Sequence, residues 1–138
     1  MTKDILALLV SAEADQSQGL QRELQRQSVK TRQVRTCTEA KQFIEREEKP
    51  DIIFSDASVP DGTWADVLRM ARREKTSAEV VVVSRLPNTK LYIDVMDAGG
   101  FDFIAPPFSQ AEIAHVVQSA TVDASKRWAA SLRAAARA

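Results

Sequence analysis

The chain has 138 residues, with 19 lysines and arginines against 19 aspartates and glutamates, one cysteine and one histidine. That length suits one domain with an α/β-sized core and no second domain, and balanced charge without a basic run argues against a direct nucleic-acid surface. A single cysteine, Cys37, gives no internal disulfide framework, and the lone His115 cannot build a multi-histidine metal site.

Met1-Thr2-Lys3-Asp4 leads into only six apolar residues, too few for a secretory leader. No stretch approaches the roughly 18 apolar residues that span a bilayer, so a cytoplasmic protein without membrane contact is expected. Ile5 to Val10 reads as a buried strand, and Ser11-Ala12-Glu13-Ala14-Asp15 as the loop after it. A polar helix follows from about Gln16 to Gln27, with Leu20 and Leu24 on its inner face. Lys30 to Cys37 holds a weak strand around Val34, polar enough to lie at a sheet edge, and Cys37 after it is expected to be a small buried filler. Thr38 is expected to cap a helix with Ala40, Phe43 and Ile44 on one face, ending before Pro50.

Residues 50 to 62, Pro-Asp-Ile-Ile-Phe-Ser-Asp-Ala-Ser-Val-Pro-Asp-Gly, organise the rest. Pro50 stops the preceding helix, Ile52, Ile53 and Phe54 form a strand buried on both faces, and Val59-Pro60-Asp61-Gly62 is turn chemistry. Asp56 ends the apolar run. In an open parallel sheet, reacting groups collect beyond the carboxyl ends of the strands, so Asp56 reads either as a functional carboxylate or as a solvated turn residue. Trp64, Val67, Leu68 and Ala71 then mark a helix with one core-facing stripe, and Val80 to Val83 a β-branched buried strand ended by Ser84. Asn88 caps a helix carrying Leu91, Val95 and Ala98, which exits through Gly99-Gly100. Phe101 to Ala105 is the last strand, and Ser109-Gln110-Ala111-Glu112 is a capping box opening a helix with Ile113, Val116, Val117 and Ala120 inward.

Five strands each followed by a helix give an α/β fold, a doubly wound (βα)5 chain with parallel sheet order 2-1-3-4-5. That order puts the polar strand at an edge and the switch point between strands 1 and 3. Ser11, Ala12 and Glu13 are thereby brought beside Asp56, with Ser84 and the Ala105-Pro106 segment flanking on the other side.

On these motifs the chain resembles the receiver domains of two-component response regulators, similar to the single-domain chemotaxis regulator, over roughly residues 4 to 120. The resemblance implies a flavodoxin-like three-layer sandwich that signals rather than catalyses. It makes Asp56 the candidate phosphoacceptor and Ser84 and Phe103 the responding switch, with a histidine kinase or phosphotransfer protein, and an output domain or partner protein, as partners. The family holds Mg²⁺ with two adjacent acids, where this chain has Ser11 and Ala12, and carries a lysine where this chain has Pro106. Glu13 and Asp56 are left as metal ligands, so Mg²⁺ binding is expected to be weak or absent and no other cofactor is implied. Asp61 would join them if its loop turned inward. Phosphorylation is therefore expected to be impaired; the alternative is a phosphorylation-independent pseudo-receiver acting as a protein-interaction module. An aspartate-nucleophile phosphatase would want a second acid where Ser58 stands, and a flavin carrier would want a phosphate cradle after strand 1.

The receiver domain is expected over residues 1–121 and a helical extension over 122–138. Val117, Ala120, Ala124, Trp128, Leu132 and Ala135 recur at intervals of three and four, a stripe that pairs two chains as a homodimer, leads to an output domain, or simply frays.

Overall fold

The computed structural model describes residues 4–86 and 88–121. The strands β1 (Leu6–Val10), β3 (Ile52–Asp56) and β4 (Glu79–Val83) are buried at every position, as continuous apolar runs in a parallel sheet require. The polar β2 (Lys30–Val34) is largely exposed, and β5 (Asp102–Ile104) is short. All five are parallel, in the order β2-β1-β3-β4-β5. The helices are α1 (Ala14–Arg26), α2 (Cys37–Arg46), α3 (Trp64–Arg73), α4 (Thr89–Asp97) and α5, helical over residues 110–121. Alternate side chains of β1 make the three layers. Ala7 and Leu9 join Leu20 and Leu24 of α1 and Ile113, Val116, Val117 and Ala120 of α5 on one face. Leu6, Leu8 and Val10 join Phe43 and Ile44 of α2 and Val67, Leu68 and Met70 of α3 on the other. Each fully buried leucine, isoleucine, valine or phenylalanine among them contributes about 1.5–3 kcal/mol relative to exposure.

Several local expectations need correction. Thr36, not Thr38, caps α2: its side chain accepts from the Glu39 N–H at 3.0 Å. Cys37 is the first residue of α2 and only half-buried, not a core filler behind a strand. Asp61 does not turn toward Asp56; it accepts from the α2 amides of Cys37 at 2.8 Å and Thr38 at 3.0 Å and from the Thr38 hydroxyl at 2.8 Å. In α4 only Val95 is buried, while Leu91 is half-buried and Ala98 exposed, because the helix covers little more than the β5 edge. Gly99 alone takes the left-handed exit, at φ 95°. The turn after Asp56 also closes a two-residue antiparallel ladder, Ser58–Val59 with Gly62–Thr63, which hands the chain to α3 through a Thr63–Asp66 capping box. The C-terminal extension, with Ala124, Trp128, Leu132 and Ala135, lies outside the described residues.

Candidate functional site

Sheet register builds the site. β1 pairs Val10 with Ser55, so the next residue, Ser11, arrives opposite Asp56. β3 pairs Asp56 with Val83, so Ser84 and Arg85 follow just beyond it, and Val83 pairs with Ile104, which brings Ala105 and Pro106 to the same end. The carboxyl ends of β1, β3, β4 and β5 thus meet at one carboxylate.

Asp56 is buried, with 7% of its surface exposed. The Ser11 hydroxyl donates to its Oδ2 at 2.7 Å. Burial pushes the Asp56 carboxyl above its ordinary value; the Ser11 hydrogen bond pulls the other way, the charge of Glu13 pushes up, and Arg85 and the Ala12 N–H pull down. Burial prevails, so ionising Asp56 costs more than ionising a solvated turn residue would. Ser11 is itself buried and also accepts from the Glu13 N–H at 3.2 Å, which shapes the loop after β1.

Ala12 brings no donor side chain, and Glu13 turns outward to an ion pair with Arg85, Nη2 to Oε2 at 2.7 Å. Among the described residues no three His, Cys, Asp or Glu side chains gather where they could hold a metal ion. Mg²⁺ wants near-octahedral oxygen ligands with compensating charge. One buried carboxylate, a neutral hydroxyl and a glutamate engaged elsewhere do not fit it. Ser84 donates its backbone N–H to Ile104 at 3.0 Å and its hydroxyl to the Leu86 carbonyl at 3.1 Å, so it ties the β4 end to its own loop. Phe103 is half-buried and meets Tyr92 edge-on, ring centres 6.2 Å apart, linking β5 to α4. Pro106 is exposed, and residues 105–108, Ala-Pro-Pro-Phe, carry no cation.

Arg85 is the participant that sequence reasoning missed. The signal was available in its place directly after the strand-ending Ser84, since the register that brings Ser84 to Asp56 brings its neighbour too.

A family model described as the response regulator receiver domain matches residues 7–118. The chain is 27% identical over 114 residues to the response regulator protein PilR of Pseudomonas aeruginosa, covering 83% of this chain and 25% of that protein. It is 27% identical over 79 residues to the chemotaxis protein CheY of Thermotoga maritima, covering 56% of this chain and 66% of CheY. The signal receiver domain of an HD domain-containing protein from Pseudomonas fluorescens superposes with a TM-score of 0.77 at 20% identity, over 90% of this chain and 99% of that one. No helix among the described residues is long and apolar enough to cross a membrane.

Proposed function

This chain belongs to the response regulator receiver domain family of two-component signalling, and we propose that it relays its signal through Asp56 with metal-assisted phosphoryl transfer impaired. Domains of this family act in signalling, bind Mg²⁺ at the phosphorylation site, and interact with histidine kinases and output domains. In transfer from a phosphohistidine, an Asp56 carboxylate oxygen bonds to phosphorus, the P–N bond breaks, and the departing nitrogen keeps the electron pair and takes up a proton. The difficulty is electrostatic: like charges about 4 Å apart at an effective dielectric near 20 repel by about 4 kcal/mol. One observation carries the reading of impairment. The Ser11 hydroxyl occupies Asp56 Oδ2 at 2.7 Å, where the family brings an acid that would share a cation. A hydroxyl offers a hydrogen bond but no charge for Mg²⁺.

The apolar surface beside Phe103, with Tyr92, Ile93 and Met96 exposed on α4 and Leu86 on the loop before it, supports a partner protein as the reader of the switch. The test is incubation of the chain with acetyl phosphate or phosphoramidate, with and without Mg²⁺, followed by intact mass. A slow gain of one phosphoryl group that Mg²⁺ hardly accelerates, and that Asp56→Asn abolishes, is expected. Fast labelling that requires Mg²⁺ contradicts the impairment, and no labelling under any condition contradicts Asp56 as acceptor.

A further inference from the structure

Two loops from distant parts of the chain meet over Asp56. Arg85 Nη2 and Glu13 Oε2, 72 residues apart in sequence, lie 2.7 Å apart and join the β4–α4 loop to the β1–α1 loop. Both side chains are well exposed, at 61% and 59%, so the pair stands in water, where such ties contribute little and exchange readily. The register aims both loops at the same carboxylate, since Ser11 follows the Val10–Ser55 pair and Ser84 and Arg85 follow the Asp56–Val83 pair. Arg85 and Glu13 also act on the Asp56 carboxyl with opposite signs.

A phosphoryl group on Asp56 would meet a hydroxyl from Ser11, repulsion from Glu13, and no cation from residues 105–108. Among the described residues, Arg85 is the basic side chain that acts on Asp56 at this mouth. Its guanidinium presents five N–H donors in a planar fork that fits two oxygens of a tetrahedral anion at once. A phosphoryl group carries close to two negative charges, against one on Glu13, so a weak exposed tie gives way to a stronger doubly bonded one.

We propose that Arg85 is the phosphoryl-binding cation of this site, leaving Glu13 to take two oxygens of the phosphoryl group on Asp56. Glu13 holds Arg85 in reserve in the free state and releases it when the anion arrives. The exchange unties the β1–α1 loop and draws the β4–α4 loop, with Ser84 and the exposed Leu86, toward Asp56. The inference rests on the reading of Asp56 as the acceptor.

The first measurement is labelling by phosphoramidate in EDTA, followed by intact mass, for the wild-type chain, Arg85→Ala, Arg85→Lys and Glu13→Gln. Arg85→Ala is expected to label about tenfold or more slowly, the scale of a lost charged hydrogen bond. Arg85→Lys should fall between, lacking the fork, and Glu13→Gln should label faster than wild type. Arg85→Ala labelling as fast as wild type, or faster, would overturn the proposal, since Arg85 would then be inert or merely a cover. A second measurement stands apart from transfer chemistry. In Cys37→Ser with Asp56→Cys, alkylation of the introduced thiol places a phosphonomethyl group at the acceptor position, and ³¹P NMR follows its second ionisation. With Arg85 present that ionisation should fall at lower pH than with Arg85→Ala, by about half a unit or more. Coincident curves would overturn the proposal even if the wild-type chain took no phosphoryl group, an outcome that would by itself sink only the acceptor reading.

Discussion

Two carboxylates, Asp56 and Asp61, leave the same strand–turn segment and end in opposite states. Asp61 is exposed and accepts three hydrogen bonds at the start of α2, and those donors, the Cys37 N–H foremost, hold its carboxyl below the ordinary value. Asp56 is buried against the end of β1, and burial lifts its carboxyl above the ordinary value despite the Ser11 hydroxyl. The first group is satisfied as an ion and fastens a loop to a helix. The second is costly as an ion and gains from anything that brings positive charge or takes up its electron pair. Residue type alone does not tell them apart; the end of a buried strand and the start of a neighbouring helix do.

The harshest way to break this comparison is Ser11→Asp, which sets a second carboxylate where a hydroxyl now donates to Asp56. Before relaxation the repulsion is about 4 kcal/mol, so the melting temperature at neutral pH without divalent cation should fall by several degrees. Added Mg²⁺ should recover much of the loss, because two acids facing each other form the start of a cation site. An unchanged melting temperature would show that the two side chains do not face each other. Next in size is Asp61→Ala, expected to cost about 1 kcal/mol by urea unfolding, the scale of a lost helix-terminal acceptor, without altering labelling of Asp56.

Acid titration separates the two carboxylates by sign. Asp56 has a raised folded-state value, so its favourable contribution is complete below the unfolded value and is lost as pH rises through the folded one. Asp56→Asn should therefore stabilise the domain at neutral pH, with the gain fading on acidification. Asp61 has a lowered folded-state value, so its contribution is present above the unfolded value and is lost as pH falls. Asp61→Asn should destabilise at neutral pH, and that loss should fade in acid. Thermal melts across pH for the two variants check both, and parallel curves would remove the distinction. Glu13→Gln should have the smallest effect on stability, within about 1 kcal/mol in either direction, because its partner Arg85 is an exposed surface cation.

Much of this was legible in the sequence. The unbroken apolar runs of β3 and β4 and the polar β2 determined the sheet order, and the register that follows from that order carried Ser11 to Asp56. Helix faces with strong periodicity, such as Val67, Leu68 and Ala71, matched their burial, whereas α4 misled because Leu91 and Ala98 fit the period but the β5 edge offers too little surface to cover them. Side-chain hydrogen bonds were the harder layer. Thr36, with Glu39 three residues on, has the capping-box spacing that Thr38 lacks, and it makes the cap, while the Thr38 amide and hydroxyl go to Asp61 reaching across from its turn. The Glu13–Arg85 tie was invisible for a similar reason: it joins two exposed residues whose spacing follows no period, and only the folded loops bring them together.

Impaired transfer at Asp56 turns most directly on whether the site takes Mg²⁺. Backbone amide NMR of Ser11, Ala12, Asp56 and Ala57 during addition of MgCl₂ measures this in the wild-type chain and in Ser11→Asp with Ala12→Asp. The wild-type signals should stay in place through low millimolar Mg²⁺ while those of the double variant move and saturate. Saturating wild-type shifts in that range would contradict the claim that a hydroxyl has taken the place of the metal-binding acids.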